Sequence, residues 1–210
     1  MLFRSLAGGA IALIAYWIWP TWERTQVSQC LAQMLDAYRE YFRAIRDAYA
    51  KPDLALPREL DGTRLTGRLA RSNLEASIDR LVAEPGTSAA AIALLTSVLA
   101  TSHRLAHAMM ALEAGLAGSG PVPARKQFLT LANHVELTLY YLAAALRGST
   151  LWQNDLPDLR EDHHALLQHG DSLTLRYALV NVETDRITNS LNTLSGEVLQ
   201  WVALRSEHPS

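Results

Sequence analysis

Two histidines four residues apart, His103 and His107 in HRLAH, have a spacing that can do chemistry. On a helix, side chains at i and i+4 share a face, so two imidazoles can reach one metal ion. The glutamate that follows the first histidine of a zinc protease is absent, and no third ligand lies at a fixed distance along the chain. Hydrogen bonding between helices, or simple exposure, is therefore expected of the pair. A second mixed group, Glu161, Asp162, His163 and His164, sets carboxylates beside imidazoles. Neighbouring residues leave a helix in different directions, so solvent exposure is expected there rather than one shared site. Arg39, Arg43 and Arg46, interleaved with Asp36, Glu40 and Asp47, form a cationic stripe. It reads as a solvated face with intrahelical ion pairs, or as a contact with anionic lipid headgroups. Arg64, Arg68 and Arg71 face Glu75 and Asp79; the Arg71–Glu75 spacing favours a structural network over an anion clamp. Glu183, Asp185, Arg186, Asn189 and Asn192 crowd one segment, which reads equally as a docking surface for another domain or subunit or as an ordinary polar face.

No glycine-rich phosphate loop, nucleophile elbow or Cys-x-x-Cys pair is present. Without a nucleophile–base pair or a metal set, no enzyme activity, cofactor or metal is expected. The chain has 210 residues, 49% of them hydrophobic and 19% charged, enough for one substantial core. A formal net charge of -2 gives no reason to expect a nucleic-acid partner. Cys30 is the single cysteine, which excludes an internal disulfide and fits a reducing compartment.

Abundant Ala and Leu and few β-branched runs point to an all-α fold. Val27, Leu31, Met34, Tyr38, Phe42, Ile45 and Tyr49 recur at threes and fours, so one long helix is expected, capped by Thr21 and stopped by Pro52 and Pro57. A second is expected over 59–84, with Leu74, Ile78, Leu81 and Val82 buried and Glu84-Pro85-Gly86 as its stop. The third, over 88–116, carries the broadest apolar stripe. The fourth uses Phe128, Leu131, Val135, Leu139, Leu142 and Leu146, with Gly148 placed to close it. A short helix over 158–168 and a last one over 172–204, capped by Asp171-Ser172, complete the set. The last has a stripe of Leu173, Tyr177, Val180, Thr184, Ile187, Leu191, Leu194, Val198 and Trp201.

Residues 5–22, SLAGGAIALIAYWIWPTW, contain no charge. A run of this length is a transmembrane candidate, and Arg4 at its edge can snorkel to the headgroups. Tyr16, Trp17, Trp19 and Trp22 crowd the far end as membrane-interface residues do. A signal peptide would need small residues where this segment is bulky, and a soluble core helix seldom ends in such a cluster. Gly8, Ala12 and Ala15 share a small-residue face for close packing against another membrane helix. The expected architecture is one transmembrane helix over residues 1–22, then an antiparallel cytoplasmic bundle of about five helices over residues 23–210. Its expected partners are a lipid bilayer and the other membrane helices of a transporter or of a homo-oligomer.

Three strings together resemble the fusaric acid resistance (FUSC-type) family of inner-membrane transporters. GGAIALIAYWIWPTWE is similar to that family's final membrane helix with its W-P-x-W-E exit; RLARSNLEASIDRLVAEP and SHRLAHAMMALEAGL resemble the helices beyond it. The resemblance spans essentially the whole chain as a C-terminal segment. It implies a bacterial inner (plasma) membrane location, a cytoplasmic helical domain, and efflux of aromatic or other organic acids by the whole transporter. It carries no substrate-binding residue onto this chain. A single-span, membrane-anchored scaffold is the alternative reading.

Overall fold

The computed structural model describes residues 20–51, 59–84, 86–118, 124–150, 156–168 and 175–207. Within them the chain is all-helical: six helices and no strand. These are α1 (Pro20–Ala50), α2 (Glu59–Val82), α3 (Ala89–Gly118), α4 (Lys126–Leu146), α5 (Leu159–Gln168) and α6 (Leu175–Glu207). Gly8, Ala12, Ala15, Tyr16, Trp17 and Trp19 lie outside the described residues, and Trp22 is described by its helical backbone alone.

The helix ends follow local chemistry. α1 opens at Pro20, so Thr21 is not its cap. Proline suits the first helical position, where its missing N–H would have no partner and its φ is already helical. The boundary expected after residue 22 therefore falls within a continuous helix. α1 ends at Ala50, with the Lys51 N–H still reaching Asp47 O at 3.1 Å. α2 ends two residues earlier than expected, and the Thr87 hydroxyl donates to Leu81 O at 2.8 Å. Ser88 caps α3 by accepting the Ala91 N–H at 3.2 Å. Asp158 caps α5, its Oδ1 accepting the N–H groups of Arg160 at 2.9 Å and Glu161 at 3.1 Å. Gly148, at φ +90°, closes α4 as expected. Its N–H bonds Ala145 O and that of Ser149 bonds Ala144 O, each at 3.0 Å, a paired closure that needs the left-handed conformation glycine adopts freely.

One continuous core runs through all six helices. α1 packs against α2, α4 and α3; α6 packs against α3, α4 and α5. Every stripe residue named above for α1 and α4 is buried, as is the α6 stripe from Val180 to Trp201. Val82 is an exception on α2: it is the last residue of the helix and is 45% exposed. Trp201 Nε1 donates to Ser28 Oγ at 2.9 Å, and Tyr49 donates to Leu112 O at 2.9 Å. These two bonds tie α1 to α6 and to α3.

Among the described residues one helix, Ala89–Leu116, is long and apolar enough to cross a membrane, with a mean hydropathy of 1.3. By length and composition it fits association with a membrane; its contacts also make it a bundle helix. Leu94, Leu95, Val98 and Leu105 are buried, and Ser97 and Thr101 donate to the buried Glu197 of α6.

Gly115 and Gly196 give opposite expectations for added volume. A Cβ at Gly115 would run into Leu179 and come within 2.9 Å of the Tyr49 hydroxyl, whereas nothing lies within 4 Å at Gly196. Gly115→Ala is expected to lower stability by about 1–3 kcal/mol through overpacking. Gly196→Ala should raise it by about 0.5–1 kcal/mol through helix propensity. Thermal unfolding of both variants checks the pair.

Candidate functional site

α3 presents His103 and His107 toward a groove it shares with α6. Arg71 of α2 donates to His103 Nδ1. The Nε2 atoms of His103 and His107 lie 2.8 Å apart, with ring centroids at 4.4 Å. A guanidinium can only donate, so His103 Nδ1 carries no proton here. The neutral ring is then protonated on Nε2, which donates to Nε2 of His107, leaving the His107 proton on Nδ1. Arg71, His103 and His107 thus form a directed donor chain. Slight desolvation against its neighbours, then the charge of Arg71 and the proximity of His107, holds the exposed His103 ring below the ordinary histidine value.

The groove is about 680 Å³ in volume. His103, Arg104 and His107 line one wall, and Arg186, Asn189, Ser190 and Thr193 the other. Arg104 donates to Thr101 at 2.9 Å and Arg186 to Glu183 at 2.8 Å. The expected interhelical role of the histidines is therefore seen in the contact with Arg71.

Around α5 the carboxylate–histidine group divides. His163 is buried, which corrects the expectation of exposure, and its Nε2 donates to Asn181 O at 3.1 Å. His164 is exposed. Asp162 turns to α4, where it accepts from His134 Nδ1 at 2.5 Å. Arg160 reaches α6, donating to Asp185 Oδ1 at 3.1 Å and to Asn189. Among the described residues no group of three or more His, Cys, Asp or Glu side chains can hold a metal ion. Within the polar segment of α6, Asp185 and Asn189 thus take Arg160 of this chain's own α5, while Glu183 is buried and Asn192 exposed.

The cationic stripe of α1 is partly solvated and carries the expected intrahelical ion pairs, Arg43 with Glu40 at 2.9 Å and Arg46 with Asp47 at 2.8 Å, and it also reaches α4. Arg43 Nε donates to Glu136 of α4 at 2.9 Å, Arg46 pairs with the same carboxylate, and the Arg39 guanidinium lies 5.3 Å from the Tyr140 ring centroid. Arg46 also donates to Asn133 at 3.1 Å, and Arg147 pairs with Asp36 at 2.5 Å. Arg71 and Glu75 pair at 3.2 Å, as their spacing predicts. Arg64 instead bridges Asp61 of its own helix and Glu113 of α3, at 2.6 and 2.9 Å. Glu113 also accepts from Tyr41. Glu136, Glu113 and Glu197 carry no motif in the sequence; each lies inside or beside an apolar stripe and acquires its partners from another helix.

No family model matches the chain, and no curated protein or solved structure matches it.

Two outcomes follow from these contacts. Glu136→Gln removes the charge shared by Arg43 and Arg46. A fully buried broken pair costs about 3–5 kcal/mol, but these arginines are partly solvated, so about 1–2 kcal/mol is expected by urea denaturation. Burial pushes Tyr38 up to about 12, and Tyr41 is raised by burial and by its bond to Glu113. Both stay protonated in the fold while the unfolded chain ionises near its ordinary tyrosine value of about 10. The contribution of Tyr38 to stability is therefore full below about pH 10 and is lost as pH rises toward about 12. Tyr38→Phe should shift the alkaline unfolding midpoint upward, read by circular dichroism.

Proposed function

We propose that residues 1–22 cross the bacterial inner membrane and that residues 23–210 form an antiparallel cytoplasmic bundle. In this reading the chain is the C-terminal portion of a transporter of the fusaric acid resistance type. The whole assembly would export aromatic or other organic acids, and this portion would serve packing, assembly or regulation rather than the substrate path. The observation that carries the reading is the continuity of α1. The helix begins at Pro20, within the uncharged stretch, and runs to Ala50, so its buried face from Val27 to Tyr49 joins that stretch to the bundle core. Asp36 meets Arg147, Arg43 meets Glu136 and Arg46 meets Asn133, positions that rise on α1 as they fall on α4, which supports the antiparallel arrangement.

A second reading is the single-span scaffold that oligomerises through its bundle. Leu65 and Leu69 favour it, because they stand one turn apart on α2 at 55% and 58% exposure.

Fractionation tests the membrane reading. The full chain should resist a carbonate wash and require detergent, while a variant lacking residues 1–19 should be recovered soluble with its helical circular dichroism intact. Recovery of the full chain in the soluble fraction without detergent would overturn it. Further hydrophobic spans encoded in frame or in an adjacent gene would support the transporter. A free-standing gene, with self-association lost in Leu65→Ser/Leu69→Ser, would support the scaffold.

A further inference from the structure

The groove between α3 and α6 is walled by hydrogen-bond donors. Arg104 and Arg186 stand on opposite walls, Arg71 meets the histidine pair at His103, and no carboxylate is among the described lining residues. The acids that face this cluster sit behind it. Glu75 pairs with Arg71 on α2. Glu183 is buried behind Arg186 on α6, and Glu197 is buried beyond Thr101, to which Arg104 donates. Arg71, Arg104 and Arg186 are thus balanced by these acids while both imidazoles are neutral. One added proton makes the groove cationic.

The histidine geometry couples that proton to binding. In the neutral pair, His103 Nε2–H points at the bare Nε2 of His107 across 2.8 Å. A proton taken from solvent onto His107 Nε2 would set N–H against N–H, so the rings must part. Each then offers a donor to the groove.

We propose that this groove binds a small oxyanion, a phosphate or carboxylate group, and that binding draws a proton onto the His103–His107 pair. Guanidinium forks match the paired oxygens of either group, and the Ser190 hydroxyl lies on the same wall. A metal cation fits poorly. Arg104 and Arg186 would repel it, Arg71 occupies His103 Nδ1, and the two Nε2 atoms are spent on each other.

The oxyanion belongs to a diffusing solute rather than to a lipid headgroup, a choice that rests on the membrane reading above. Tyr38 of α1 lies beside Ser102, which sets the groove sixteen residues along α1 from Trp22. At about 1.5 Å of rise per residue this is about 24 Å. The headgroup layer extends only about 5–7 Å beyond the hydrocarbon.

Sulfate is a suitable probe because its charge is constant between about pH 5.5 and about pH 8, the range in which histidine titrates. The full chain, in a non-ionic detergent, is titrated with sulfate by calorimetry at both values, with succinate and inorganic phosphate as parallel ligands. Sulfate should bind about tenfold more tightly at the lower pH, with proton uptake seen as a buffer-dependent heat at intermediate pH. Arg104→Gln should weaken it about tenfold. His107→Gln should keep the weak affinity seen at high pH and abolish the pH dependence. Arg104 and His107 are exposed, so both variants should keep the parent circular dichroism. Affinity independent of pH, or unchanged in Arg104→Gln, would overturn the site. So would His107-dependent binding confined to phosphatidylglycerol vesicles. Recovery of the chain as a soluble protein would sink the membrane reading yet leave the calorimetric outcomes as they stand.

Discussion

Burial of α1 on several sides at once is the constraint from which the other packing follows. Its apolar residues from Val27 to Tyr49 lie against α2, α3 and α4, and it is tied to α6 through Ser28. Apolar contact alone would let a long helix slide, because burial energy scales with area and is indifferent to register. The polar tips of two large aromatics remove that freedom. Trp201 finds Ser28 near one end and Tyr49 finds Leu112 O near the other. Each bond is worth about 1 kcal/mol net, yet a slip would strand buried donors at about 1–3 kcal/mol apiece. Register is thus enforced by the cost of error more than by the strength of the correct contact.

The same logic governs the charged interior. Glu136 sits on the buried side of α4 and is tolerable there because Arg43 and Arg46 reach it with their stems packed along α1. Glu197 is satisfied on one oxygen by hydroxyls of α3 alone. α6 therefore meets α3 through neutral donors, whereas α1 meets α4 through ion pairs. The second seam should respond to salt and the first should not.

The helices and their apolar faces were legible because a stripe of threes and fours is a property of the segment itself. Leu31, Phe42, Leu139 and Leu191 are buried as their spacing requires. Gly148 was equally readable, since the closure of a helix is local chemistry, whereas Thr21 falls inside α1 rather than before it. The candidate site was legible only in outline. HRLAH places two imidazoles on one face, but nothing within it tells that Arg71, thirty-two residues away, occupies the first ring. His163 and Glu183 read as surface residues by type, and both are buried because their partners lie on facing backbone or on the next turn. The spacing of Arg39, Arg43 and Arg46 foretells their partly solvated pairs along α1 but not that α4 supplies Glu136 and Tyr140. Burial of a polar side chain depends on what folds against it, and a one-dimensional period does not record that.

Cys30 sits on the buried face of α1, two residues beyond Ser28, with the Gln26 amide 3.7 Å from its sulfur. It is the chain's single thiol. Chemical modification at sulfur is therefore blocked while α1 is seated, and the reagent has no other cysteine to report. The rate at which a small alkylating agent consumes this thiol becomes a clock for the lifting of α1 from the core. Where reclosing outpaces alkylation, that rate reads the free energy of opening directly. The molecule thus contains a native gauge of how tightly its long helix is held.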